Sequence, residues 1–299
     1  MQGKVCLVTG ATSGIGRVTA AALAARSATL IISGRSQAKV QETVSQIQAE
    51  TGNDRLQYLL ADYTDLQQVA EMAAAFKERF DHLDVLVNNA GTYFNRRHIK
   101  DGVEMTFLVN HLAPFLLTNL LLEVLKASAP ARIITVSSDA HKYDQMNFDD
   151  LSFKRGYFGM RAYARSKLAN ILFTYELARR LQSTGVTANA VHPGQVATNI
   201  WRSNFGIFGP LLKWFIGLSA LTPQEGADTV IYLASSPEVE GVSGKYFVKR
   251  QVVPSSPLSY DEEVAKKLWQ VSTALTPTLS RHAGEGDSSP ARSEGRPAG

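Results

Sequence analysis

The 299-residue chain suits one large α/β domain or two small ones, and 44% hydrophobic against 19% charged residues excludes a wholly disordered protein. Lys and Arg number 31 against 27 Asp and Glu, and so small an excess without a basic block gives no case for nucleic acid. A single cysteine, Cys6, excludes a disulfide framework and any multi-cysteine metal site, and the scattered histidines form no HxxxH or HExxH pair, so no metal is expected.

Met1 to Lys4 leads straight into the strand-sized apolar run Val5–Val8, which lacks a small-residue cleavage site, so no signal peptide is expected. No window holds the roughly 18 uninterrupted apolar residues of a membrane span. The nearest, Ile207 to Leu221, is broken by Pro210 and Lys213. A soluble, cytoplasmic protein follows as the expectation.

Short β-branched runs read as strands at Val5–Thr9, Thr29–Ser33, Leu56–Leu60, Val85–Asn88, Arg132–Ser137, Thr187–His192 and Lys245–Val248. Between them Ile15–Arg26, Gln37–Glu50, Leu66–Arg79, Val103–Lys126, Arg161–Gln182 and Pro223–Ala234 carry apolar residues at helical spacing. Strands apolar throughout and separated by helices mean a parallel sheet covered on both faces. The expected class is α/β: a single doubly wound Rossmann domain over residues 1–279, with a seven-stranded parallel sheet. From Ser280 to Gly299, thirteen of twenty residues are Gly, Pro, Ser or Ala, with no Val, Ile, Leu, Met or aromatic residue. That stretch cannot bury enough apolar area to offset its ordering entropy and reads as a disordered tail.

Thr9-Gly10-Ala11-Thr12-Ser13-Gly14-Ile15-Gly16 joins the first strand to the first helix with GxxxGxG spacing. Glycines there allow a tight turn and close backbone approach, and the helix N-terminus then faces a pyrophosphate; a merely tight turn is the alternative. NAD-binding folds place an acidic residue after the second strand, yet none occurs here between Gly16 and Glu42. Arg35 follows that strand instead, with Lys39 one turn on, which favours NADP(H) because a guanidinium pairs with a phosphate; a solvated loop cation is the other reading. Asp62, ending the third strand, is an adenine-amino acceptor or an N-cap. Asn88-Asn89-Ala90-Gly91 ends the fourth strand, where small residues let backbone approach the cofactor's adenosine side.

Tyr163-Ala164-Arg165-Ser166-Lys167 puts Tyr and Lys at i and i+4, on one helical face. It follows Ser137-Ser138 at the end of the fifth strand and precedes Pro193-Gly194 after the sixth. With TGxxxGxG and NNAG, this ordered set closely resembles the short-chain dehydrogenase/reductase family, from Lys4 to about Val248. The resemblance implies that Tyr163 is the general acid protonating the substrate oxygen, that Lys167 stabilises its anion and holds the nicotinamide ribose, and that Ser138 bonds the substrate carbonyl. It also implies that Asn110, in Leu108-Val109-Asn110-His111, supports a proton-relay water. Pro193, Gly194, the Val196 backbone and Thr198 would hold the carboxamide. Gly10, Thr12, Ser13, Gly14, Ile15, Gly16, Arg35, Asp62, Asn89, Ala90 and Gly91 complete the implied cofactor set. Ser137 in place of Ser138, and Asn110 as only a helix-bending residue, stay open.

Ser138 and Tyr163 are 25 residues apart, about twice the family's usual separation, and the stretch includes His141-Lys142-Tyr143 and Asn147-Phe148-Asp149-Asp150-Leu151. With Val191-His192-Pro193-Gly194 this looks like the retinol dehydrogenase-like branch, whose usual N-terminal anchor is not expected here, so retinoid does not follow as substrate. Trp201 to Phe215, within a lid over about 199–222, carries five aromatics with glycines and a proline: an apolar flap, a core or subunit contact, or a membrane-surface helix. The favoured function is an NADP(H)-dependent reductase of a bulky apolar aldehyde or ketone. An oxidoreductase of a polar hydroxy compound and a non-enzymatic NADP(H)-sensing protein are the rivals. A homodimer or homotetramer is compatible with the sequence.

Overall fold

Among the described residues ten strands form, and those at the centre of the main sheet do so because β-branched and aliphatic runs fit a surface buried on both sides. The ten are β1 (Val5–Thr9), β2 (Thr29–Gly34), β3 (Leu56–Leu60), β4 (Val85–Asn88), β5 (Ile99–Lys100), β6 (Val103–Glu104), β7 (Ala131–Val136), β8 (Val186–His192), β9 (Tyr246–Val248) and β10 (Gln251–Val252). The structure, a computed structural model, describes residues 1–194 and 221–276. The main sheet runs β10-β9-β8-β7-β4-β1-β2-β3, with every neighbour parallel except β9 and β10. All residues of β1 and β4 are buried, whereas the edge strand β3 mixes buried, partly buried and exposed positions.

Helices cover both faces. On one lie α1 (Gly14–Ala25), α2 (Gln37–Thr51) and, near the chain's other end, α8 (Pro223–Ser235), which packs on α1. On the other lie α3 (Leu66–Arg79), α5 (Ala113–Leu120) and α7 (Gly159–Arg180), with α9 (Glu262–Leu275) over α7. Local chemistry sets their ends. Gly52 closes α2 in the left-handed conformation (φ 68°), and Thr222 with Glu225 forms a reciprocal capping box on α8. The Rossmann-like α/β architecture expected from the strand–helix alternation is present.

Three details differ from the expectation. The main sheet has eight strands, because Lys249 and Arg250, both at positive φ, turn the chain back into the antiparallel β10. A two-residue strand after Lys-Arg leaves no turn signal in the sequence. The single helix expected over Val103–Lys126 is broken up. It starts with β6, paired to β5, then runs through α4 (Met105–Phe107), a π turn at Leu108–Leu112, α5, and α6 (Leu122–Ala127). Pro114 explains the π turn: it has no N–H to give the carbonyl four residues back, that of Asn110, and the ladder widens so that Ala113 N–H bonds Leu108 C=O. Finally, α9 was not foreseen, although Asp261 caps it, Glu262 and Glu263 fill its first turn, and Ala265 and Leu268 are buried.

No helix among the described residues is long and apolar enough to cross a membrane. The expected tail at 280–299 and the expected lid, apart from Leu221 and Thr222, lie outside the described residues.

Trp269 of α9 lies edge-on against Phe115 of α5 (centroids 5.1 Å apart) and tilted against Phe173 of α7 (5.8 Å). Phe115 is buried and also meets Phe173 at 5.4 Å. Phe115→Ala opens a cavity under three elements and is expected to cost about 3–5 kcal/mol. Urea denaturation at constant m-value measures it; a loss below about 1 kcal/mol would mean that α9 collapses into the gap.

Candidate active site

The chain leaves β1 toward β2 and β4 toward β7, so the carboxyl ends of β1 and β4 diverge and open a crevice. Gly10 to Gly16 crosses the mouth of that crevice. Gly10 (φ 63°) needs the left-handed conformation, and a Cβ there would sit 2.8 Å from Ala90 Cα. A Cβ on Gly16 would collide with Asn89 Nδ2 and the Gly10 carbonyl. Ser13 precedes α1 without capping it, so the first-turn N–H groups of Gly14, Ile15 and Gly16 have no partner inside the helix. Thr12 lies against Gly34 at the end of β2. These positions form a Cβ-free surface at a helix N-terminus, which fits a dinucleotide's pyrophosphate.

Polar straps hold this surface. Thr9 Oγ1 accepts the N–H groups of Asn89 (2.9 Å) and Ala90 (3.0 Å). Asn89 Nδ2 donates to the carbonyls of Thr9 (2.8 Å) and Gly10 (3.2 Å). Gly91 follows, where a Cβ would stand 3.3 Å from Asn110 Oδ1 and 3.7 Å from Lys167 Nζ. Arg35, one residue past β2, is exposed, and its guanidinium bonds no other described residue. Asp62 Oδ1 accepts both the N–H (3.0 Å) and the hydroxyl (2.9 Å) of Thr64 in a local turn, while the N-cap of α3 is Asp65.

The second half of the site is built by β7 and α7. Ser137 is buried and its hydroxyl donates to the Lys167 carbonyl at 2.7 Å, so it fastens strand to helix. Ser138 is the serine of the pair at the site: its Oγ accepts the Ala140 N–H at 3.2 Å and its hydroxyl bonds the Tyr163 phenol. Burial pushes that phenol up to about 12, and the Ser138 bond pulls the other way. Lys167 is 4% exposed; its Nζ lies 5.4 Å from the Tyr163 ring centre and donates to the Val136 carbonyl at 3.0 Å. Burial pushes its ammonium down to about 8.

Asn110 sits on the π turn and does more than bend the helix. Its Oδ1 accepts Thr92 N–H (2.7 Å), and its Nδ2 donates to the Thr92 carbonyl and to Ser166 Oγ, both at 3.0 Å. Ser166 in turn donates to the Tyr163 carbonyl at 2.7 Å. Pro193 and Gly194 (φ 87°) follow β8, and His192 Nδ1 accepts the Asp139 N–H at 3.3 Å, linking the two strand ends. Val196 and Thr198 lie outside the described residues.

The fold thus gathers Ser138, Tyr163, Lys167, Asn110 and Gly91 at one end of the crevice and the glycine turn at the other. Arg35 and Asp62 stand at the ends of the outer strands. Sequence reasoning missed the supports. Thr9 sits inside the quoted glycine motif, and Ser166 inside Tyr-x-x-x-Lys. The ring of Tyr93, 6.0 Å from that of Tyr163, stands two residues past the NNAG loop. Only the sheet register shows that these side chains meet.

Residues 4–205 match the sequence profile of short chain dehydrogenases. Human retinol dehydrogenase 14 is 46% identical, with 93% of this chain and 88% of that protein covered. Human polyprenol dehydrogenase is 40% identical, with 92% and 86% covered. The crystal structure of an uncharacterized protein from Mycobacterium paratuberculosis is similar with a TM-score of 0.75 at 32% identity, over 92% of this chain and 94% of the other. A structure from Escherichia coli CFT073, described as a short chain dehydrogenase complexed with NADPH, gives a TM-score of 0.66 at 25% identity over 83% and 96%. With profile, identity and architecture in agreement, the chain belongs to the short-chain dehydrogenase/reductase family, whose members oxidise alcohols or reduce carbonyls with NAD(P)(H), and within it is retinol dehydrogenase-like.

Proposed function

We propose that the protein is an NADP(H)-dependent oxidoreductase that interconverts an apolar aldehyde or ketone and its alcohol. The observation that carries this is the meeting of Ser138, Tyr163 and Lys167 beside the Cβ-free crevice. When bound there, a nicotinamide cofactor supplies the hydride for the carbonyl carbon.

The chain's own groups handle the oxygen. Ser138 Oγ, already accepting from Ala140, turns its hydrogen outward and donates to the substrate carbonyl. Tyr163 transfers its phenolic proton to that oxygen as the C–O double bond becomes single, and Lys167 stabilises the tyrosinate left behind. Gly10, Thr12, Ser13, Gly14, Ile15, Gly16, Asn89, Ala90 and Gly91 would hold the cofactor, together with Pro193 and Gly194 and, by sequence pattern alone, Val196 and Thr198. Asn110 fixes the Thr92 loop against α7.

Arg35 supports NADP(H). It stands where an NAD-binding chain needs a carboxylate, and it has no anionic partner among the described residues. Asp62 keeps Oδ2 for a donor, since Thr64 engages only Oδ1. The apolar substrate is supported by two relatives named for retinol and polyprenol, both apolar alcohols, and by exposed Tyr143 and Phe158 on the segment between Ser138 and Tyr163.

Tyr163→Phe removes the transferable proton and is expected to lower turnover by about 10²–10⁴ while cofactor still binds. In the unmutated protein, reduction rates should fall as pH rises past about 8, because Lys167 then loses its charge. Steady-state NADPH oxidation against pH reads both, and a fully active Tyr163→Phe would refute the assignment.

Cofactor titration by fluorescence should show NADPH bound about ten- to a hundredfold tighter than NADH, with Arg35→Asp weakening NADPH selectively. In the same assay, a homologous aldehyde series should gain kcat/KM severalfold per two carbons, given roughly 0.8 kcal/mol per buried CH₂. Equal cofactor affinities would sink the NADP(H) reading. A flat chain-length profile would sink the apolar one.

A further inference from the structure

The segment between Ser138 and Tyr163 begins with a short turn, Asp139–Tyr143, and the one buried residue of that turn is His141. The Ser138 carbonyl accepts twice from this residue: from its backbone N–H at 3.1 Å and from ring Nδ1 at 2.7 Å. On the far side of the ring, Nε2 lies 2.9 Å from the backbone N of Ser256. A backbone amide only donates, so Nε2 is the acceptor and the proton sits on Nδ1. Both ring nitrogens are therefore committed to fixed partners.

The anchor behind the ring is itself tied to α7. Ser255 Oγ bonds the Tyr175 hydroxyl of α7 at 2.8 Å and Ser259 Oγ at 2.6 Å, and the Ser259 hydroxyl bonds the Ser256 carbonyl at 2.6 Å. The Tyr246 ring of β9 closes the pocket edge-on, 5.2 Å from the imidazole. The remaining charged or titratable neighbours are Asp139, Lys142 and His192, and with burial the balance holds His141 below its ordinary value, hence neutral. The helix that carries Tyr163 is thus joined through Ser256 and one imidazole to the backbone of Ser138.

We propose that His141 is a positioning residue for the reaction, setting the Ser138 hydroxyl against Tyr163 by clamping the Ser138 carbonyl. This rests on the reading of Ser138 and Tyr163 as the reacting pair. A merely structural histidine would need only the tie to Ser256. The clamp needs the bond to Ser138, and substitution separates the two.

An asparagine amide overlays the Nδ1 side of the ring and still donates to the Ser138 carbonyl, while leaving Ser256 unpaired. A glutamine carbonyl reaches the Nε2 position and accepts from Ser256, leaving Ser138 with only the backbone donor. His141→Gln is therefore expected to lower kcat by between about ten- and a hundredfold, the range for a misplaced catalytic group, with the cofactor dissociation constant unchanged. Because the Ser138 bond lowers the Tyr163 phenol, weakening it raises that phenol, and the acid limb of alcohol oxidation shifts to higher pH. His141→Asn should recover kcat and the limb even though it melts at a lower temperature. Wild-type kcat and limb in His141→Gln, or activity in both variants that tracks melting temperature alone, would overturn the clamp. Tyr163→Phe, assayed alongside, separates the failures: if it stays active, the reading of the reacting pair has fallen and the clamp with it. If it is inactive while His141→Gln is normal, only the clamp has fallen.

Discussion

A charged lysine side chain taken out of water sets the terms for the rest of this structure. Lys167 is 4% exposed, and an ammonium there loses most of its hydration, which is why burial brings it down to about 8. The sheet must supply what water no longer does. The Val136 carbonyl at the end of β7 accepts from Nζ at 3.0 Å and also from Asn170 Nδ2 at 3.3 Å, one turn further along α7. The bond from Ser137 to the Lys167 carbonyl fixes the same helix to the same strand end. Register follows: slide α7 by one residue and the ammonium loses its carbonyl while Tyr163 leaves Ser138. Helix α7 can run buried for most of its length because α9 covers its outer side, where Arg180 and Trp269 meet at 4.1 Å.

The same logic governs the crevice. Parallel strands β1 and β4 end in small residues, so two loops approach within van der Waals distance and must satisfy each other's polar groups. Thr9 and Asn89 do so across the gap, and Asn110 does so between the Thr92 loop and α7. Each of these polar side chains replaces water rather than facing it, so the surface left for a ligand is mostly backbone. Such a surface recognises phosphate and ribose through N–H and C=O groups. A larger side chain at Gly10 or Gly16 would fill it.

Alternation of apolar strands and amphipathic helices was enough to read the doubly wound sheet, because a strand buried on both faces admits few other residues. Tyr163, Lys167 and Ser138 were legible for a different reason: their order and spacing match a family pattern, and Tyr-x-x-x-Lys fixes one helical face by geometry alone. What stayed hidden depends on distance in three dimensions. Thr9 lies 80 residues from Asn89 in sequence, and His141 lies 115 from Ser256. The break-up of the helix expected over Val103–Lys126 turned on Pro114, whose missing N–H falls on Asn110, a position periodicity reads as ordinary helix. Helix α9 carried an N-cap and an acidic first turn, and β10 carried no signal.

Burial opposes ionisation of both Tyr163 and Lys167, raising the first to about 12 and lowering the second to about 8. Taken singly, each resists charge. Taken together, a tyrosinate beside an ammonium is a neutral pair, and their attraction in a weakly screened site offsets much of the desolvation each suffers alone. An ammonium on Lys167 therefore favours the tyrosinate, and loss of that charge disfavours it. The Ser138 hydrogen bond favours the anionic form. In the proposed reaction the free protein holds a neutral phenol, ready to protonate a carbonyl oxygen. Alcohol oxidation requires the opposite state, which forms only while Lys167 keeps its proton. The tyrosinate that alcohol oxidation would need therefore depends on the carbonyl of Val136 and on the depth at which β7 buries the lysine as much as on the tyrosine itself.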